Sequence, residues 1–332
     1  MRNLFVAAMV GLGLCAGLRA DAAESIRLLL DWVPDAGTSP VYLAKERGWY
    51  EKAGLNLAIE FGKGSATSAQ AVGAGAVPVA VADLPTAMVA IGKGADIIAI
   101  MSLSSYSPQG FYWLKSSGIS GPRDFNGRSI GNPPGDSARA MWPAFAKAAG
   151  IDAGSVRFVN VAPLAKSAAL QSRQVDIITE FYTKYELYTA QFGADLGHAS
   201  YRQVGLNLYG KAVLTNTETM RTKQELLRRL VAVTQRAYAA CLADANPCLA
   251  ALVKNVSGVN LAVSEGEWRR LSELMVSSDW KEKAVGWLDP QRIKADYELI
   301  QSYMGMDKPY DPAKSFTTDI LDKSIKLSDS AR

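Results

Sequence analysis

"LLLDWVPDAGTSPVYLAKERGWYEKAGLNL", residues 28 to 57, decides how this chain folds. An apolar run stops at Asp31-Trp32, a loop of Pro, Asp, Gly, Thr and Ser follows, and an amphipathic segment then runs to Gly54. A short apolar run followed by helical periodicity is the pattern of a strand feeding a helix. The strand is expected over Ile26 to Leu30, the helix over Ser39 to Ala53, and a second strand over Leu55 to Phe61.

The same alternation continues outward. "GKGSATSAQAVGAGA" (62–76) becomes helical from about Ser65. "VPVAVADLPTAMVAIGKGA" (77–95) reads as a short strand, a turn at Asp83-Leu84-Pro85 and a helix, and Asp96 to Leu103 as a strand. Further on, "GFYWLKSSGI" is a strand and its exit loop. A strand near Arg128 to Gly131 leads through a Pro/Gly turn into a helix from about Asp136. "VRFVNVAP" is a strand, Leu164 to Ser172 a helix, "VDIITEF" another strand, and from Thr222 the chain is mainly helical. Strands alternating with helices give an α/β architecture with largely parallel sheet. Without a low-complexity linker or a repeat of fixed period, two α/β units packed as lobes around a cleft are expected.

With 332 residues, 48% hydrophobic and 20% charged, the chain has length for about two domains. The net charge of +4 comes with no Lys/Arg cluster interleaved with aromatics, which argues against nucleic acid. Arg2, the apolar stretch Leu4 to Leu18 and the small-x-small site Ala20-Asp21-Ala22 predict a signal peptide over 1–22. That stretch is short for a bilayer span. Cleavage after Ala22 removes Arg2, Arg19 and Asp21 and leaves a charge of +3. Cys15 follows Leu14, which is not small, so lipid anchoring there is not expected. The exported chain would keep only Cys241 and Cys248, on either side of Asp244-Ala245-Asn246-Pro247. In an oxidising compartment this spacing points to a local disulfide contributing roughly 2.5 kcal/mol; two unrelated buried thiols are the alternative. One His and two Cys do not supply a zinc ligand set.

In open α/β sheets ligands bind beyond the carboxyl ends of strands, beside helix N-termini. The strand ends here carry Trp32, Thr38 and Ser39; Ser65; Asp83; Tyr106; Pro134, Gly135, Asp136 and Ser137; and Glu180 and Tyr182. Hydroxyls such as Ser65 and Ser137 read first as helix caps, and Asp83 before Leu-Pro-Thr reads equally well as a cap or a ligand group. Trp32 is either core between lobes or a flat stacking surface for a planar ligand. Glu180 is either solvated or an acceptor for a ligand amine. No catalytic constellation accompanies them. His198, the only histidine, sits in "GADLGHAS", which reads as a surface loop. There is no HExxH, G-x-S-x-G or P-loop lysine motif. Neither a metal nor a cofactor is expected.

"LDWVPDAGTSPVYLAKERGWYEKAGLNLAIEFGKGS", "VADLPTAM", "GRSIGNPPGDSARAMW" and "VDIITEFY" resemble the NMT1/THI5-like family of periplasmic solute-binding proteins, over about residues 26 to 320. The resemblance implies a type II periplasmic-binding fold. Lobe one would comprise 24–106 plus 211–332, lobe two 107–210, and the lobes would close on a solute. It implies a monomeric, periplasmic protein that serves an ABC importer permease and binds a thiamine-precursor pyrimidine; sulfonate, nitrate or an aromatic acid is the alternative. It places Trp32, Asp83 and Glu180 on the solute, with Thr38, Ser39 and the turn Pro134 to Ser137 in support. Family members often carry a His in the loop after Trp-x-Pro; here Asp35-Ala36-Gly37-Thr38-Ser39-Pro40 stands there. The acids favour amine donors on the solute, and the helix-start hydroxyls favour an anion. The family's fungal enzyme branch implies a cysteine-rich iron motif and an active-site His, and this chain carries neither.

Overall fold

Two five-stranded sheets organise the computed structural model, which describes residues 23–304 and 306–328. The expected signal peptide and Cys15 lie outside the described residues. The first strands are β1 (Glu24–Leu29), β2 (Leu55–Glu60), β3 (Val79–Asp83) and β4 (Ile98–Ser102). The chain then crosses over to β5 (Gln109–Leu114), β6 (Ser129–Asn132), β7 (Arg157–Asn160), β8 (Ile177–Phe181) and β9 (Leu196–Ser200), and returns as β10 (Lys211–Thr215). The sheet orders are β2-β1-β3-β10-β4 and β7-β6-β8-β5-β9. β10 pairs antiparallel with both β3 and β4, and β5 antiparallel with both β8 and β9. The remaining pairings are parallel. Each sheet thus has one reversed strand, and it is the strand that follows a crossing. The expected α/β class, with strands mostly running the same way, holds.

Burial follows the pleat. Along β1, Ile26 and Leu28 are buried and Arg27 is exposed, where it meets Glu60 of β2. The central strand β3 is buried throughout; Val79 and Val81 enter one apolar cluster and Ala80 and Ala82 another. The second cluster runs on into the other sheet through Phe111, Trp113, Ile130 and Ile177, and includes Ile293 and Ile300 of helix Pro290–Met304. The free edge of β4 is covered by the C-terminal segment: Ala99 N–H donates to Ser315 O and Thr317 N–H to Ala99 O.

Two local expectations need correction. The helix expected over Ser39 to Ala53 is two, Ser39–Glu46 and Trp49–Lys52, because Gly48 at φ 63 turns the chain between them. "LGHAS" is not a loop but strand β9, so His198 is a half-buried strand residue. Its ring lies 4.7 Å from Tyr185 and 6.0 Å from Tyr112, and burial holds its pKa below the usual histidine range. Within "GLNLYGKAVLTN", Lys211–Thr215 forms the returning strand β10. Cys241 and Cys248, both buried, are joined by a disulfide that ties helix Gln224–Ala243 to helix Asn246–Asn255.

Candidate functional site

The carboxyl ends of β1 and β8 face one another across a narrow cavity. It is lined from the first sheet by Asp31, Trp32, Asp35 and Ser65. Gln109, Asp136, Ser137, Lys166, Glu180, Phe181 and Lys184 line it from the second. Five of the residues picked out from the sequence therefore come together: Trp32, Ser65, Asp136, Ser137 and Glu180.

Local hydrogen bonds fix most of them. Ser65 opens helix Ser65–Gly73 and its Oγ accepts the Asp83 N–H at 3.0 Å. Asp136 caps the turn Ser137–Ala140 by accepting the Ala138 N–H at 2.9 Å, and also accepts the Thr179 hydroxyl at 2.8 Å. The Ser137 Oγ accepts the side-chain amide of Gln109. Glu180 accepts its neighbour's Phe181 N–H at 3.1 Å and the Tyr188 hydroxyl at 3.3 Å. Capping groups thus line the cavity.

The cations of the site escape a reading of the sequence. Lys166 is 2% exposed; its Nζ lies 2.6 Å from Thr179 O, 3.2 Å from Glu180, 4.0 Å from Asp136 and 4.7 Å from the Trp32 ring centre. Lys184 meets Glu267 at 3.1 Å. Lys211, at the edge of an adjoining apolar cavity, lies 3.1 Å from Asp31 and 3.7 Å from Asp35, over the Phe181 ring at 4.9 Å. One signal is available: Lys166 begins its helix, Lys166–Gln171, where the helix dipole disfavours a cation, so other groups must hold it.

Carboxyls outnumber ammonium groups here. Asp31, Asp35, Asp136, Glu180 and Glu267 are buried or nearly so around Lys166, Lys184 and Lys211. Ionising all of them would leave uncompensated negative charge in a low dielectric. Burial accordingly raises the pKa of Asp31 and Asp136 against the opposing pull of Lys211 and Lys166, and raises that of Glu267 against Lys184. Burial pushes Asp83 up to about 7 despite the hydrogen bonds from Thr86. Glu180 goes the other way: burial pushes it up, but Lys166 and Lys184 outweigh that and hold it below the usual range. At neutral pH Glu180 is thus an ionised acceptor, in a site whose surplus of carboxyls favours a solute bearing donors or positive charge.

The other sequence-derived candidates lie elsewhere. Asp83 does not line the cavity but caps helix Leu84–Gly92, its Oδ1 accepting the Thr86 N–H and hydroxyl at 3.1 and 2.7 Å. Its buried Oδ2 has no hydrogen-bond partner among the described residues. Thr38 exchanges hydrogen bonds with Asp35 and faces the adjoining cavity, and Ser39 is fully buried at the start of its helix. Tyr106 sits in the crossing between the sheets, its ring 4.7 Å from Arg292 and 5.4 Å from Arg202. Tyr182 is half-buried, with its N–H on Pro108 O. Pro134 is exposed. Gly135 lends its carbonyl to the Ala66 N–H at 3.0 Å, so a loop of the second sheet caps the helix beside the first. That contact requires glycine: Gly64 sits at φ 134, and a Cβ there would collide with the Gly135 carbonyl.

The NMT1/THI5-like family model matches residues 36–247. The chain belongs to this family. It is 23% identical over 301 residues to the formylaminopyrimidine-binding protein of Halalkalibacterium halodurans, covering 90% of this chain and 91% of that one. Among solved structures, a Bordetella bronchiseptica protein superposes with TM-score 0.75 at 20% identity, covering 89% of this chain and 95% of that one. The alkanesulfonate-binding protein SsuA of Xanthomonas axonopodis pv. citri, bound to MOPS, gives 0.70 at 18%, covering 90% and 100%. The fold is that of the periplasmic binding proteins. Among the described residues no helix is long and apolar enough to cross a membrane.

Proposed function

We propose that the chain is the extracytoplasmic solute-binding subunit of an ABC importer, capturing a small planar pyrimidine-like compound of the thiamine-precursor type. The observation that carries this is the cavity itself: an indole beside ionised Glu180, within a cluster where carboxyls outnumber lysines. An aminopyrimidine offers a flat ring for Trp32 and amine protons for carboxylates. The formylaminopyrimidine-binding relative, aligned over nearly its whole length, supports the same class.

A sulfonate is favoured less. Each lysine around the cavity is paired with a carboxylate, and the helix N-terminus at Ala66 is capped by Gly135. The alkanesulfonate-binding neighbour shares the fold and no more. The reading is of a binding protein, not an enzyme. In it, lobes 24–106 plus 211–332 and 107–210 close on the solute, the protein is exported by its signal peptide, and as a monomer it hands the solute to a permease.

A thermal-shift panel of aminopyrimidines, alkyl and aryl sulfonates, aromatic carboxylates and small amines tests this. At a hundred times its dissociation constant a ligand adds about 2.7 kcal/mol, enough for a shift of several degrees. Aminopyrimidines should move the midpoint. A shift with anions alone would replace the reading with anion transport.

A further inference from the structure

Trp32 approaches the cavity from the first sheet, and a cation from the second already stands over its ring. Lys166 Nζ is 4.7 Å from the ring centre. It is also 2.6 Å from Thr179 O, 3.2 Å from Glu180 and 4.0 Å from Asp136. These partners come from β8 and from the loop after β6, and each of the two carboxylates is further held by hydrogen bonds of its own. The ammonium is therefore fixed on the second sheet and reaches across to the first.

We infer that Lys166 is a positioning residue for solute binding: it covers one face of Trp32, leaves the other face to the planar solute, and aligns the Glu180 and Asp136 carboxylates beside it. The inference rests on the proposed planar, donor-bearing solute. An ammonium on one face of an indole holds the ring by cation–π attraction, so the ring is oriented before the solute arrives. The Lys166 ammonium donates to Thr179 O and pairs closely with Glu180, with Asp136 at ion-pair distance beyond. The residue acts through Trp32, Glu180 and Asp136, and so imposes ring geometry without contributing a direct contact.

The test is titration calorimetry with the aminopyrimidine that gives the largest thermal shift, on wild type, Lys166→Met, Lys166→Arg, Trp32→Phe and the double variant K166M/W32F. Lys166→Met should weaken binding about tenfold, and Lys166→Arg, which keeps a cation over the ring, should recover most of that loss. In the Trp32→Phe background the further loss from Lys166→Met should shrink to about threefold or less, because the two residues act as a unit. Binding by Lys166→Met within about twofold of wild type overturns the inference, as does an equal loss in both backgrounds. Should Lys166→Met fail to fold, K166M/E180Q, which removes the paired charges together, is compared with Glu180→Gln. The double variant must bind at least about fivefold more weakly, and equal binding overturns the inference. If wild type binds no aminopyrimidine, the proposed function falls and the inference falls with it. If Trp32→Phe weakens binding but Lys166→Met does not, only the inference falls.

Discussion

The amide of Ala66 donates to the carbonyl of Gly135 at 3.0 Å, so the start of helix Ser65–Gly73 is capped by a loop of the opposite sheet. The backbones meet this closely because Gly64 and Gly135 lack side chains. A Cβ on Gly64 would collide with a backbone carbonyl, whereas one on Gly135 would first meet the movable Thr67 hydroxyl. Gly64→Ala should therefore destabilise the protein by about 1–3 kcal/mol, since φ 134 also strains alanine, and Gly135→Ala by less. Urea midpoints measure both; an equal or reversed order would contradict the close approach.

That contact shows what a sequence can and cannot reveal. Trp32, Ser65, Asp136, Ser137 and Glu180 are legible because each stands at a strand end or helix start, and those positions are local. Lys166, Lys184 and Lys211 are not, because their role comes from tertiary proximity: Lys166 meets Trp32 across the cavity, and Lys211 meets Asp31 from the returning strand. Asp83 is ambiguous because a capping carboxylate and a ligand carboxylate have the same sequence signature, and only the Thr86 hydrogen bonds separate them. His198 looks like loop because "LGHAS" has weak strand propensity; pairing with β5 makes it a strand.

Asp83 carries a pH dependence whose sign is fixed. Its folded pKa, about 7, lies above the ordinary aspartate value of 3.8, so the folded state favours the protonated carboxyl. Its stabilising contribution is full below pH 3.8 and is lost as pH rises through about 7. Asp83→Asn keeps a cap acceptor and removes the titration. Between about pH 4 and pH 8 wild type should lose stability relative to this variant by a few kcal/mol, since each tenfold difference in proton affinity is worth about 1.4 kcal/mol. Parallel stability curves for the two proteins would rule this out.

The disulfide between Cys241 and Cys248 closes a short loop between two buried helix ends. Replacing both with Ser should lower unfolding free energy by about 2.5 kcal/mol on the chain-entropy account. Reductant should lower the melting temperature of wild type and leave that of the double variant unchanged. A wild type insensitive to reductant would show that the bridge adds nothing.

The most direct measurement is isothermal titration of residues 23–332 with formylaminopyrimidine, in wild type and in Trp32→Ala. One saturable site is expected in wild type, with a loss exceeding about 1 kcal/mol in the variant, the scale of an aromatic contact. No binding by wild type, or equal affinity in Trp32→Ala, would contradict the assignment of this cavity to a planar pyrimidine.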